Sequence, residues 1–131
     1  MLKTKRDLMS RAILKRARSF LGIPYLWGGI TPFGFDCSGL VQMIYQVEAG
    51  IRLPRDSKDQ KMSGFKIKSE DVQAGDLRFF KGHVAIAVDR FKIIHSTLAG
   101  GGVVINSLNQ KDADFRPDLP GIYLEDRRII S

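Results

Sequence analysis

The stretch Gly34-Phe35-Asp36-Cys37-Ser38-Gly39-Leu40-Val41 holds the chain's single cysteine, where an irregular segment gives way to helical spacing. Upstream, Tyr25-Leu26-Trp27-Gly28-Gly29-Ile30-Thr31-Pro32-Phe33-Gly34 is too rich in glycine and proline for a regular element. Downstream, Leu40, Val41, Ile44, Tyr45 and Val47 recur at helical steps until Gly50, which predicts a helix over residues 37–49. Asp36 or Ser38 supplies the cap. Cys37 then falls in the first turn, where unpaired N–H groups and the helix dipole favour negative charge. A thiol so placed is expected to titrate well below its ordinary value of about 8.5 and to act as a thiolate nucleophile. The plain alternative is a small buried hydrophobe.

A chain of 131 residues is expected to form one domain spanning 1–131, with a single continuous core. An apolar fraction of 44% and a mean hydropathy of −0.12 describe a soluble globular protein. The longest uncharged apolar run, Val84-Ala85-Ile86-Ala87-Val88, is far below membrane-spanning length. One cysteine excludes an internal disulfide and so reports no redox compartment. Residues 1–19 are basic and lack the apolar core of a signal peptide. This leaves two expectations for location: the bacterial cytoplasm, or the cell envelope if an export signal has been removed.

The net charge is +7, from 21 Lys and Arg against 14 Asp and Glu, with Lys3, Lys5, Arg6, Arg11, Lys15, Arg16 and Arg18 crowded near the start. Such a surface attracts polyanions. No nucleic-acid-binding motif accompanies it, so an anionic cell-wall polymer, or solubility alone, is the expected meaning.

Leu8, Met9, Ala12, Ile13, Ala17 and Phe20 predict an amphipathic helix over about 5–20, stopped by Gly22 and Pro24. Leu53-Pro54-Arg55-Asp56-Ser57 opens a short helix through Met62, and Lys66 to Glu70 reads as a linker. From Gly75 the period changes. Leu77–Phe80, His83–Val88, Phe91–Ser96 and Val103–Asn106 read as strands, residues 107–121 as a loop, and 122–124 and 127–130 as closing strands. Helices first and a meander over about 76–130 afterwards make an α+β layout, with the cysteine helix packed on an antiparallel sheet.

The chain has two histidines. A hairpin turning on Asp89 sets His83 opposite His95 on one face, which Ala85, Ala87 and Ile93 share. Small residues there leave room for the end of the Cys37 helix. The thiol then meets His83 as base, with His95 orienting it. The alternatives are two structural histidines, or a Cys-His-His zinc site. No closely spaced ligand pair of the kind zinc sites use is present, so no metal or other cofactor is expected.

Six segments in order, Tyr25-Leu26-Trp27-Gly28-Gly29, Asp36-Cys37-Ser38-Gly39-Leu40-Val41, Leu53-Pro54-Arg55, Gly75-Asp76-Leu77, Gly82-His83-Val84-Ala85-Ile86 and Ile94-His95-Ser96, resemble the NlpC/P60 cysteine peptidases. The resemblance covers about residues 10–130. It implies a papain-like α+β fold and hydrolysis of the bond between D-γ-glutamate and a diamino acid in peptidoglycan stem peptides or muropeptides. It implies Cys37 as nucleophile, His83 as general base and His95 as the third polar residue. Tyr25 matches a tyrosine that helps form the oxyanion site, and Trp27 lies in the same substrate-binding segment. Asp36 and Ser38 match positions that face a substrate's N-terminal amine. For Asp36, capping the helix is an equal alternative, and for Gly28 and Gly29 a plain turn is the alternative to close backbone approach. The Trp27 to Asp36 segment is closest to the dipeptidyl-peptidase branch, whose members carry SH3-like domains ahead of the catalytic one. These 131 residues have no room for such domains, which leaves endopeptidase and exopeptidase action both open.

Overall fold

The computed structural model describes residues 4–130, so Lys3 of the basic cluster and both ends of the 1–131 span lie outside the described residues. Helix α1 is Lys5–Ser19, opened by a reciprocal cap in which Thr4 Oγ1 accepts from the Asp7 amide and Asp7 accepts from the Thr4 amide. It buries Ile13 and Ala17, while Lys5, Arg11, Lys15, Arg16 and Arg18 stay exposed. Arg16 reaches across to Glu48 at 2.8 Å.

The segment expected to be irregular contains a short hairpin, β1 (Ile30–Thr31) and β2 (Gly34–Phe35), turning on Pro32-Phe33. It leads into α2, Cys37–Ala49, which has the bounds that its periodicity predicts. Asp36 caps it, accepting from the Gly39 amide at 2.7 Å, and Gly50 ends it at a φ of 68°, where a side chain is disfavoured. Gly39 is required by contact: a Cβ there would lie 2.0 Å from the Gly29 carbonyl oxygen. Helix α3 (Ser57–Gln60) follows as the short helix expected.

The stretch read as a Lys-rich linker is instead strand β3 (Phe65–Ile67) and a 3-10 turn at Ser69–Asp71. It pairs with β8, which is remote in sequence and therefore invisible to local pattern. Strands β4 (Leu77–Phe80), β5 (His83–Ala87), β6 (Lys92–Thr97) and β7 (Gly102–Ser107) form the expected meander. The two closing strands are one, β8 (Tyr123–Arg128), seated between β3 and β4. The order β3-β8-β4-β5-β6-β7 is antiparallel throughout.

Leu40, Val41, Ile44 and Tyr45 of α2 pack with Leu77, Phe79, Val84, Ile86 and Ile94 of the sheet and with Ile13 and Ala17 of α1. This corrects the expected docking face. The helix covers the side bearing Val84 and Ile86, whose branched side chains bury more apolar area than Ala85 and Ala87 would. The small-residue side is filled by Phe80, Ala85, Ile93 and Leu119.

Candidate active site

Cys37 opens α2 where the helix end meets the start of β5. The backbone amides of Val84, directly after His83, of Ser38 and of Cys37 itself lie near the thiol. These pull the thiol pKa down, but burial outweighs them and, with the Asp36 charge, pushes it above the ordinary value. The expected depression is thus corrected. A helix start favours the thiolate, but here the loss of hydration as α2 packs on the sheet weighs more. Cys37 is a thiol at neutral pH.

The hairpin register also differs from expectation. Ile86 pairs with Ile94 and Ala87 with Ile93, so His83 and His95 are diagonal rather than opposite. The turn is longer by two residues because the Asp89 carboxylate accepts from the Phe91 and Lys92 amides, both at 2.8 Å. A shift of two preserves the face, and a diagonal pair remains within reach of long side chains. His83 Nε2 lies 2.7 Å from His95 Nδ1. His95 Nε2 lies 2.8 Å from Asn106 Oδ1, and Asn106 Nδ2 donates to the Asp114 carbonyl at 3.1 Å. Burial lowers the His83 pKa to about 3, helped by the neighbouring His95 and Arg116, and lowers that of His95 to about 4 against the Asn106 hydrogen bond. Both imidazoles are neutral at pH 7.

Beside the thiol, Asp36 accepts five bonds: Gly39 N at 2.7 Å, Arg55 Nη1 at 3.1 Å and Ser38 Oγ at 3.3 Å on Oδ1, with Arg55 Nη2 at 2.7 Å and Gly28 N at 3.1 Å on Oδ2. Burial alone would raise its pKa, but the Arg55 guanidinium and the two amides together hold it below the ordinary carboxylate value. Of its two readings the cap is thereby realised, and its charge is matched by Arg55. Ser38 is buried and also accepts from Arg55 Nη1 at 2.9 Å. Tyr25 belongs to this group. Burial first, then the nearby Cys37 and Asp36, raise its pKa, with Arg55 opposing. Trp27 does not join it; its side chain is 87% exposed on the loop.

Sequence reasoning missed Arg55 and Asn106 as site residues. Arg55 had a signal, its place in Leu53-Pro54-Arg55. Asn106 had none, being one polar residue at the end of a strand. Among the described residues no group of three or more His, Cys, Asp or Glu is placed to hold a metal ion, and no helix is long and apolar enough to cross a membrane.

The two buried histidines make stability fall with acid. The unfolded chain binds a proton on each below about pH 6.5, whereas the native protein stays neutral until about pH 4 for His95 and 3 for His83. Between those limits the unfolded state holds more protons, so stability rises with pH. Denaturant unfolding is expected to lose about 2 kcal/mol per histidine from pH 7 to pH 5, and His83→Gln/His95→Gln to lose correspondingly less. Equal loss in both proteins would contradict the neutral pair.

A half-buried cysteine at a helix start, close to the Val84 amide that follows His83, and a bonded pair of imidazoles stand together on a papain-like α+β fold. The NlpC/P60 family model matches residues 22–115, and the chain belongs to that family. A γ-D-glutamyl-L-lysine dipeptidyl-peptidase of Bacillus subtilis is 42% identical over 106 residues, covering 75% of this chain and 36% of that protein. Dipeptidyl-peptidase 6 of Lysinibacillus sphaericus is 39% identical over 110 residues, covering 82% of this chain and 40% of that protein. The crystal structure of an NlpC/P60 family protein from Bacillus cereus superposes with a TM-score of 0.83 at 37% identity, over 93% of this chain and 40% of that one. The chain thus spans well under half the length of these relatives.

Proposed function

We propose that the chain, read as one catalytic domain, is a cysteine peptidase that hydrolyses the γ-D-glutamyl–diamino acid bond of peptidoglycan stem peptides. The observation that supports this reading is the approach of Cys37, at the start of α2, to the Val84 amide next in the chain to His83, whose ring lies 2.7 Å from His95. The γ-glutamyl bond is drawn from the name of the Bacillus subtilis γ-D-glutamyl-L-lysine dipeptidyl-peptidase.

With thiol and imidazole both neutral at rest, His83 takes the Cys37 proton as sulfur attacks the carbonyl carbon. The amides of Cys37 and Ser38 and the Tyr25 hydroxyl donate to the oxyanion that develops. Collapse expels the diamino acid amine, protonated by His83, and leaves a γ-glutamyl thioester on Cys37. Water, deprotonated by the same imidazole, then releases the glutamyl product. Because the site works from neutral groups, no step awaits the loss of a proton near pH 7.

The test is a digest read by mass spectrometry. The unaltered protein and Cys37→Ala are incubated with L-Ala-γ-D-Glu-diaminopimelate, its lysine analogue and purified sacculi. Cleavage after D-Glu by the unaltered protein alone is expected, and the preferred substrate separates action on soluble fragments from action on the intact wall. Cleavage of none of the three, or equal cleavage by Cys37→Ala, overturns the reading.

A further inference from the structure

We propose that Asn106 is a positioning residue that, acting through His95, fixes which nitrogen of His83 is free to take a proton. The series of bonds starts at a backbone carbonyl, whose role admits no choice. The Asp114 carbonyl can only accept, and it is held in place: the Ser107 amide donates to it at 2.9 Å, the Arg116 amide donates to the Ser107 carbonyl at 3.0 Å, and Lys92 Nζ grips the Asp114 carboxylate at 2.7 Å. The atom of Asn106 that faces this carbonyl is therefore its NH2 group.

Each bond beyond it then has one direction. With Nδ2 turned to Asp114, the atom facing His95 is Oδ1, which only accepts, so the proton on His95 sits at Nε2. A neutral imidazole carries one N–H, and His95 Nδ1 is left as an acceptor. It faces His83 Nε2 at 2.7 Å, so that nitrogen carries the His83 proton. The one unprotonated nitrogen of His83 is Nδ1, on the side of the ring away from His95. The order Asp114 C=O, Asn106, His95, His83 thus delivers a bare nitrogen at one end from a fixed carbonyl at the other.

Its consequence for turnover rests on the reading of Cys37 and His83 given above. A His83 flipped to the other tautomer would offer Cys37 an N–H and could not take its proton. The strand register places all the parts. His95 is on β6 opposite Val104, and Asn106 lies two residues further along β7, on the same face. No local sequence pattern links Asn106 to a loop residue eight positions on.

The protein contains two histidines, so nitrogen NMR of a histidine-labelled sample at pH 7, assigned with His95→Gln, reads both tautomers directly without substrate. Both rings are expected to carry their proton on Nε2. Asn106→Leu is expected to remove the single tautomer of His95 and to lower kcat roughly 10- to 100-fold with little change in KM. Asn106→Asp, which keeps an acceptor toward His95, is expected to restore the tautomer and part of kcat. A proton on His83 Nδ1 in the unaltered protein overturns the proposal, as does Asn106→Leu retaining full kcat. Should Asn106→Leu fail to fold, the spectrum of the unaltered protein still decides. The expected tautomers in a protein that cleaves nothing would overturn the peptidase reading and leave the tautomer assignment standing.

Discussion

Cys37→Ala, His83→Ala and the double variant are expected to share one residual rate, about 10⁴- to 10⁶-fold below that of the unaltered chain. The reason is that the two side chains act as a unit. Burial holds the Cys37 thiol protonated at neutral pH, so sulfur attacks only while an imidazole removes its proton. Without His83 the thiol has no acceptor, and without Cys37 the imidazole has no nucleophile to serve. Losses in such a pair do not add. His95→Ala is expected to cost less, because water can replace an orienting group in part. Single-turnover rates on the tripeptide check this, with circular dichroism to show that each variant is folded. A double variant slower than either single by the product of their losses would mean that the two residues act separately.

Asp126→Ala is expected to destabilise the fold by about 3–5 kcal/mol, the largest structural effect of any single substitution considered. Arg78 and Asp126 face each other across β4 and β8, and both are buried, at 5% and 0% exposure. Asp126 accepts from Arg78 Nε at 2.9 Å and from the Tyr123 hydroxyl at 2.5 Å. Arg78 also donates to Ser69 Oγ at 2.7 Å and to the Arg90 carbonyl, and its guanidinium stacks over the Tyr123 ring. Removing the carboxylate leaves a guanidinium in the interior with its charge unmatched. Replacing both partners by apolar residues of similar volume, Arg78→Met/Asp126→Leu, removes that charge and is expected to recover most of the loss. Denaturation midpoints at constant slope measure the difference. If the double substitution were as unstable as Asp126→Ala, the cost would lie in lost packing rather than in the bare charge.

The helix that opens at Cys37 was fully legible in the chain. Its bounds follow from apolar spacing, an aspartate at the cap and a glycine at the stop, all of which act within one or two turns. The meander was legible for the same reason, since alternation over four to six residues is local. The partnership of His83 and His95 survived an error in register because the error was an even number of residues, and side chains on a strand repeat every second residue. The parts that escaped prediction join segments far apart in the chain: β3 with β8, Arg78 with Asp126, Arg55 with Asp36, and Asn106 with the loop beyond it.

The sequence by itself determined the two main helices and the strands of the meander, which residue begins the second helix, and that the two imidazoles share a face, because spacing and caps operate between near neighbours. The tertiary structure alone decided which face of the sheet the helix covers and whether Cys37 is a thiol or a thiolate. Both depend on how much water remains once remote segments have packed together, and no stretch of sequence carries that quantity.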